Sequence, residues 1–130
     1  MMVLALLAAA SLVSAVAIAA NPNVKATFES LSASGVTGEA TLNSMPKGGT
    51  MIKGSLQGLE PNVEYSVRVY DTDQTCASGA SSVALINFVA NPAGRGHFNT
   101  KAVQEISGIR SISVGPASGS TVQACAAVTQ

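Results

Sequence analysis

The sequence predicts an all-β fold, a sandwich or barrel of eight short strands. Three observations carry that prediction. Beyond an apolar N-terminal run, the chain alternates apolar and polar residues and shows no long helical repeat. Glycine, proline, asparagine and aspartate punctuate these segments at intervals of roughly 8–14 residues, the spacing of an all-β domain. No low-complexity tract or internal repeat interrupts the pattern.

The elements follow in order. Val24, Ala26 and Phe28 alternate with Lys25, Thr27 and Glu29, as they would in a strand with one buried face. Val36, Gly38, Ala40 and Leu42 alternate with Thr37, Glu39, Thr41 and Asn43, after a turn at Ser34-Gly35. Pro46-Lys47-Gly48-Gly49 separates these from Ile52, Gly54 and Leu56. Glu60-Pro61-Asn62 leads into Tyr65, Val67 and Val69, with Ser66 and Arg68 between. Four more strands are expected over residues 83–89, 96–101, 110–114 and 122–128, the first two parted by Asn91-Pro92-Ala93-Gly94. Residues 71–82 and 115–121 are the longest irregular pieces.

Residues 3–20 are Ala, Val, Leu and Ile, relieved only by Ser11 and Ser14, and no charged side chain precedes Lys25. With small residues at Ala17-Ile18-Ala19-Ala20, this has the form of a secretory signal peptide over residues 1–19, leaving a single domain over 20–130 and a secreted, extracellular protein. The alternative is an uncleaved membrane anchor, for which the alanine-rich run is a poor fit. Seven Lys plus Arg balance seven Asp plus Glu, spread singly. No basic stripe is present to neutralise phosphates, which argues against nucleic-acid binding. Once the signal is cleaved, nothing ties the chain to a membrane. The two cysteines, Cys76 and Cys125, are an even count in a chain read as secreted, and only one intramolecular pairing exists. They lack the spacing of a metal-thiolate site.

Gly54-Ser55-Leu56-Gln57-Gly58-Leu59-Glu60-Pro61-Asn62 resembles the third strand and following turn of copper/zinc superoxide dismutases. Cys76-Ala77-Ser78-Gly79-Ala80 is similar to the loop carrying that family's cysteine. Ile109-Arg110-Ser111-Ile112-Ser113-Val114 is similar to its Gly-Arg-Ser-Ile-Val-Val strand, and Ala124-Cys125-Ala126-Ala127-Val128 to its terminal strand. The resemblance implies an eight-stranded Greek-key β-barrel or sandwich, with a disulfide tying the loop after the fourth strand to the last strand. It also implies a homodimer through apolar strand faces, as in many family members.

The family's metal chemistry has no counterpart in these residues. By the resemblance, the first two copper-ligand positions fall on Val67 and Val69, the shared imidazole on Ser82 and the fourth copper ligand on Gly115. The superoxide-guiding arginine falls on Val122. Redox copper needs several convergent imidazoles, and the chain has one histidine. A catalytic copper/zinc dismutase is thereby excluded.

Other candidates are weak. His97 reads as a solvated strand histidine. Asp71 and Asp73 read as turn-forming aspartates, because no calcium-loop spacing continues from them. Ser44-Met45-Pro46-Lys47 matches a Ser-x-x-Lys nucleophile pattern, but its companion motifs are missing and Pro46 opposes the helix it requires. Arg68 and Arg110 read as outward charges, with Glu64 and Glu105 among the candidate partners. The expectation is a secreted dismutase-like pseudoenzyme without a metal cofactor, acting as a structural or binding module for an unidentified protein or surface ligand. The alternative is a metal-binding protein or an enzyme of superoxide metabolism whose site is rebuilt on His97 with Asp71 or Asp73.

Overall fold

The computed structural model describes residues 23–119 and 121–129. The expected signal peptide, residues 1–19, lies outside the described residues. Eight strands form: β1 Asn23–Ser30, β2 Thr37–Ser44, β3 Thr50–Gln57, β4 Glu64–Tyr70, β5 Ser82–Val89, β6 Gly96–Ala102, β7 Ser111–Pro116 and β8 Ala124–Ala127. A single 3-10 turn, Ile106–Gly108, is the only helical element among the described residues. The all-β expectation therefore holds, and each of the eight strands overlaps a segment where one was expected.

β7 runs on to Pro116, two residues into the expected 115–121 loop, and two other differences have a local cause. The last strand begins at Ala124 rather than Val122; just before it, Gln123 N–H closes onto Val114 O at 2.9 Å. The first tight turn is centred on Ser32-Ala33, not on Ser34-Gly35. Both residues adopt positive φ, 54° and 55°, and Ser34 N–H bonds Leu31 O at 3.1 Å. Side chains with a β-carbon rarely adopt two consecutive left-handed conformations, so the sequence carried no ordinary turn signal there.

All pairings are antiparallel, and the hydrogen-bonded order is β5-β4-β7-β8-β1-β2-β3-β6. β1, β2 and β3 form a meander. The chain then crosses to lay β4 on the other half of the sheet, returns β6 to the free edge of β3, and brings β7 and β8 in to join the halves. The edge strands β5 and β6 lie alongside each other without forming a ladder. Phe88 of β5 stacks on Phe98 of β6 with centroids 5.9 Å apart, so the sheet curls into a nearly closed barrel.

The barrel is filled by the apolar members of the alternating pairs. Phe28, Leu42, Ile52, Leu56, Tyr65 and Ile112 are all buried inside it. Gly54 stands at an inward position, where any β-carbon would strike the Phe98 ring, so this glycine gives the aromatic its room. Tyr65 is buried and stacks on Phe88 at 5.8 Å, and its hydroxyl accepts the Glu60 N–H at 2.8 Å. That bond satisfies the polar end of an otherwise apolar side chain and fixes the turn entering β4. At one end of the barrel, Thr50 Oγ1 donates to Gln104 O at 2.7 Å and Glu105 accepts Gly49 N–H at 2.9 Å.

Candidate functional site

Alternation along β4 decides which of its side chains can take part in a surface site. Tyr65, Val67 and Val69 are buried and point into the barrel, whereas Ser66 and Arg68 face outward. Neighbouring positions on β7 continue this outer face. Arg68 lies opposite Ser113, and Ser66 lies opposite Gly115.

Two loops rise over that face. One precedes β5 and includes residues 77–80; the other, between β7 and β8, contributes Gly119, Thr121 and Val122. Together they and the strands enclose a hollow of about 240 Å³, whose lining includes Ser66, Arg68, Ser82, Ser113, Gly115 and Val122. Its wall is tied down covalently. Cys76 and Cys125 form the disulfide expected from the cysteine count, with Cα atoms 5.9 Å apart. Both are buried with Tyr70 in a small second core, against which Leu31, Ala80 and Val122 pack. The cross-link thereby holds the start of the 77–80 loop against β8.

The structure therefore brings together three of the five positions singled out in the sequence: Ser82 from the start of β5, Gly115 from β7, and Val122 from the last loop. Val67 and Val69 do not join them. With 0% and 1% of their surface exposed, they belong to the core, and the β4 residues lining the hollow are Ser66 and Arg68, one position earlier in each case, together with the buried Tyr70 at the end of the strand. Sequence reasoning took Arg68 only as an outward surface charge and did not single out Ser66. The signal was present, since an apolar Tyr65-x-Val67-x-Val69 set already sends Ser66 and Arg68 to the opposite face.

The chemistry of the hollow follows from this lining. Among the described residues, Arg68 is its one charged side chain, and no His, Cys, Asp or Glu lines it. The exposed Arg68 guanidinium donates to Ser82 Oγ at 3.2 Å. Gly115 has no room for a side chain, because a β-carbon there would collide with the Thr121 carbonyl of the overlying loop. These donors do not fit copper or zinc. Serine hydroxyls are poor ligands for either ion, valine offers no lone pair, and a fixed guanidinium repels a cation.

The remaining candidates lie elsewhere. His97 is exposed on β6, opposite Ser55 of β3. Among the described residues, no three His, Cys, Asp or Glu side chains gather as a metal site would require. Asp73 caps its own loop: Oδ1 accepts Thr75 N–H at 2.6 Å and Thr75 Oγ1–H at 2.7 Å. The Thr75 hydroxyl and then its backbone N–H hold the Asp73 carboxyl below its ordinary value of 3.8. This is the turn-forming role read from the sequence. Ser44, Met45, Pro46 and Lys47 enter the β2–β3 turn, where Gly48 N–H bonds Met45 O at 3.0 Å, and no helix starts there. Glu105 is engaged by the Gly49 amide and Arg68 by Ser82, interactions between segments that no local pattern announces.

The chain matches no protein-family model and no curated protein sequence.

Proposed function

We propose that this chain is a secreted, non-catalytic binding module of the copper/zinc superoxide dismutase-like kind, with its binding surface at the hollow over β4 and β7. One observation carries the reading. Ser82, Gly115 and Val122, distant in the chain and singled out through the resemblance, converge on one cavity whose lining holds no metal donor. The strand order supports a Greek-key arrangement, since the meander of β1 to β3 is followed by a crossing to the other half of the sheet. The disulfide is in keeping with an oxidising compartment.

In this reading the β4 positions that would have faced a metal are Ser66 and Arg68, not Val67 and Val69. The site is retired by replacement of its ligands and by a loop carbonyl that leaves position 115 no space. The fold persists because its core and cross-link do not depend on an ion. The test is metal content and superoxide consumption of the purified domain, before and after incubation with copper and zinc. We expect neither stoichiometric metal nor activity. Tightly bound copper with turnover would overturn the reading.

A further inference from the structure

We propose that the hollow over β4 and β7 is a binding site for a small oxyanion, a phosphate, sulfate or sulfate-ester group, held by Arg68 and the surrounding serine hydroxyls. The inference deepens the binding-module reading by naming the ligand class of that hollow. It rests on the cavity and its donors rather than on any lineage.

Four features of the cavity point the same way. Its single charge is positive, and the acidic residue sharing the outer face of β4, Glu64, sits four residues from Arg68 and does not line the hollow. An anion entering it therefore meets no carboxylate. The guanidinium is engaged by Ser82 Oγ, a contact at the protein surface that narrows the freedom of a flexible side chain. Arginine's planar fork suits the bidentate recognition of oxyanions, and holding it in place lowers the ordering cost of binding.

The hydroxyls complete the set. Ser82 Oγ accepts from Arg68 and so keeps its own proton for donation. Ser66 stands two residues from Arg68 on the same face of β4, and Ser113 lies directly opposite Arg68 on β7. Hydroxyl groups from three strands thus line the same cavity as the guanidinium. Finally, the cavity of about 240 Å³ suits a compact group with its bound water rather than an extended chain.

The experiment is an NMR titration of the full mature domain in the presence of EDTA, which keeps any metal out of the site. A bound metal would defeat the preceding proposal, whereas this titration judges the anion site separately. The probes are inorganic phosphate, sulfate and a sulfated disaccharide, at constant ionic strength set with chloride. We expect saturable shifts of the Arg68 Nε–H and of the Ser82, Ser113 and Gly115 amides. In Arg68→Gln the affinity should fall by about tenfold or more, the loss expected for a hydrogen bond to a charged group. Arg110→Gln, which removes an exposed charge outside the hollow, should leave the titration unchanged. Saturation by the disaccharide at much lower concentration than by free sulfate would assign the site to a sugar sulfate; equal affinity would assign it to the free anion. Non-saturating shifts, or equal losses in Arg68→Gln and Arg110→Gln, would overturn the proposal.

Discussion

Replacing Cys76 and Cys125 together by alanine tests how the hollow is held. The disulfide spans 49 residues of chain. In the chain-entropy model, releasing a loop of that length returns about 4 kcal/mol of conformational freedom to the unfolded state. Native packing changes less, because alanine keeps each β-carbon and the neighbouring Tyr70 and Val122 remain. For a domain near a hundred residues, with about 4–8 °C per kcal/mol, the thermal midpoint should fall by roughly 15–30 °C. Thermal unfolding followed by circular dichroism would compare wild type, the double variant, and wild type under reducing conditions. The last two should agree. Urea unfolding should also give a larger denaturant dependence for the double variant, because its unfolded chain exposes more surface. A midpoint shift below about 5 °C would refute the reasoning, meaning that the tie constrains neither the unfolded chain nor the loop that walls the hollow. Should the large shift occur, oxyanion affinity should weaken in the double variant at temperatures where it is still folded, since the 77–80 loop is then anchored only by local contacts.

The β4 alternation makes a paired prediction: Ser66→His should be tolerated within about 0.5 kcal/mol, whereas Val67→His should destabilise by about 3 kcal/mol or more through burial of a polar ring. Urea unfolding midpoints decide this, and equal effects would mean that the facing of β4 is misassigned. Ala33→Gly should stabilise by about 1 kcal/mol, because Ala33 holds a φ of 55° that glycine adopts freely; a loss of stability in the same assay would contradict the turn geometry. The Asp73 carboxyl is held below 3.8 by Thr75, so its contribution is fully present above the ordinary carboxylate range and is lost as pH falls through the lowered folded value. Midpoints measured against pH should therefore show wild type exceeding Asp73→Asn at neutral pH, with the difference closing below about pH 3–4; a difference that grew on acidification would have the wrong sign.

Much of the architecture is legible in local pattern. A strand buries one face, so an apolar residue at every second position marks both the strand and its inward side; β3 and β4 can be read in this way almost residue by residue. The disulfide is legible from parity alone, two cysteines having one way to pair within a chain. The elements that misled were those whose geometry runs against residue preference. The Ser32-Ala33 turn uses left-handed backbone without glycine or asparagine. The loop before β8 takes Val122 out of an otherwise plausible strand, because its backbone closes back onto Val114.

The sequence by itself determined the strand content, the inward set of side chains, the cross-link and the lack of imidazoles for a copper centre, because each depends on residue identity or on spacing within a few residues. Tertiary structure alone decided that Ser82, Gly115 and Val122 meet around Arg68 and Ser66. That meeting depends on the order β5-β4-β7-β8, on the registers opposing Arg68 to Ser113 and Ser66 to Gly115, and on a loop folded over Gly115. Pairing order and register arise from long-range packing of the shared core, and no window of neighbouring residues encodes them.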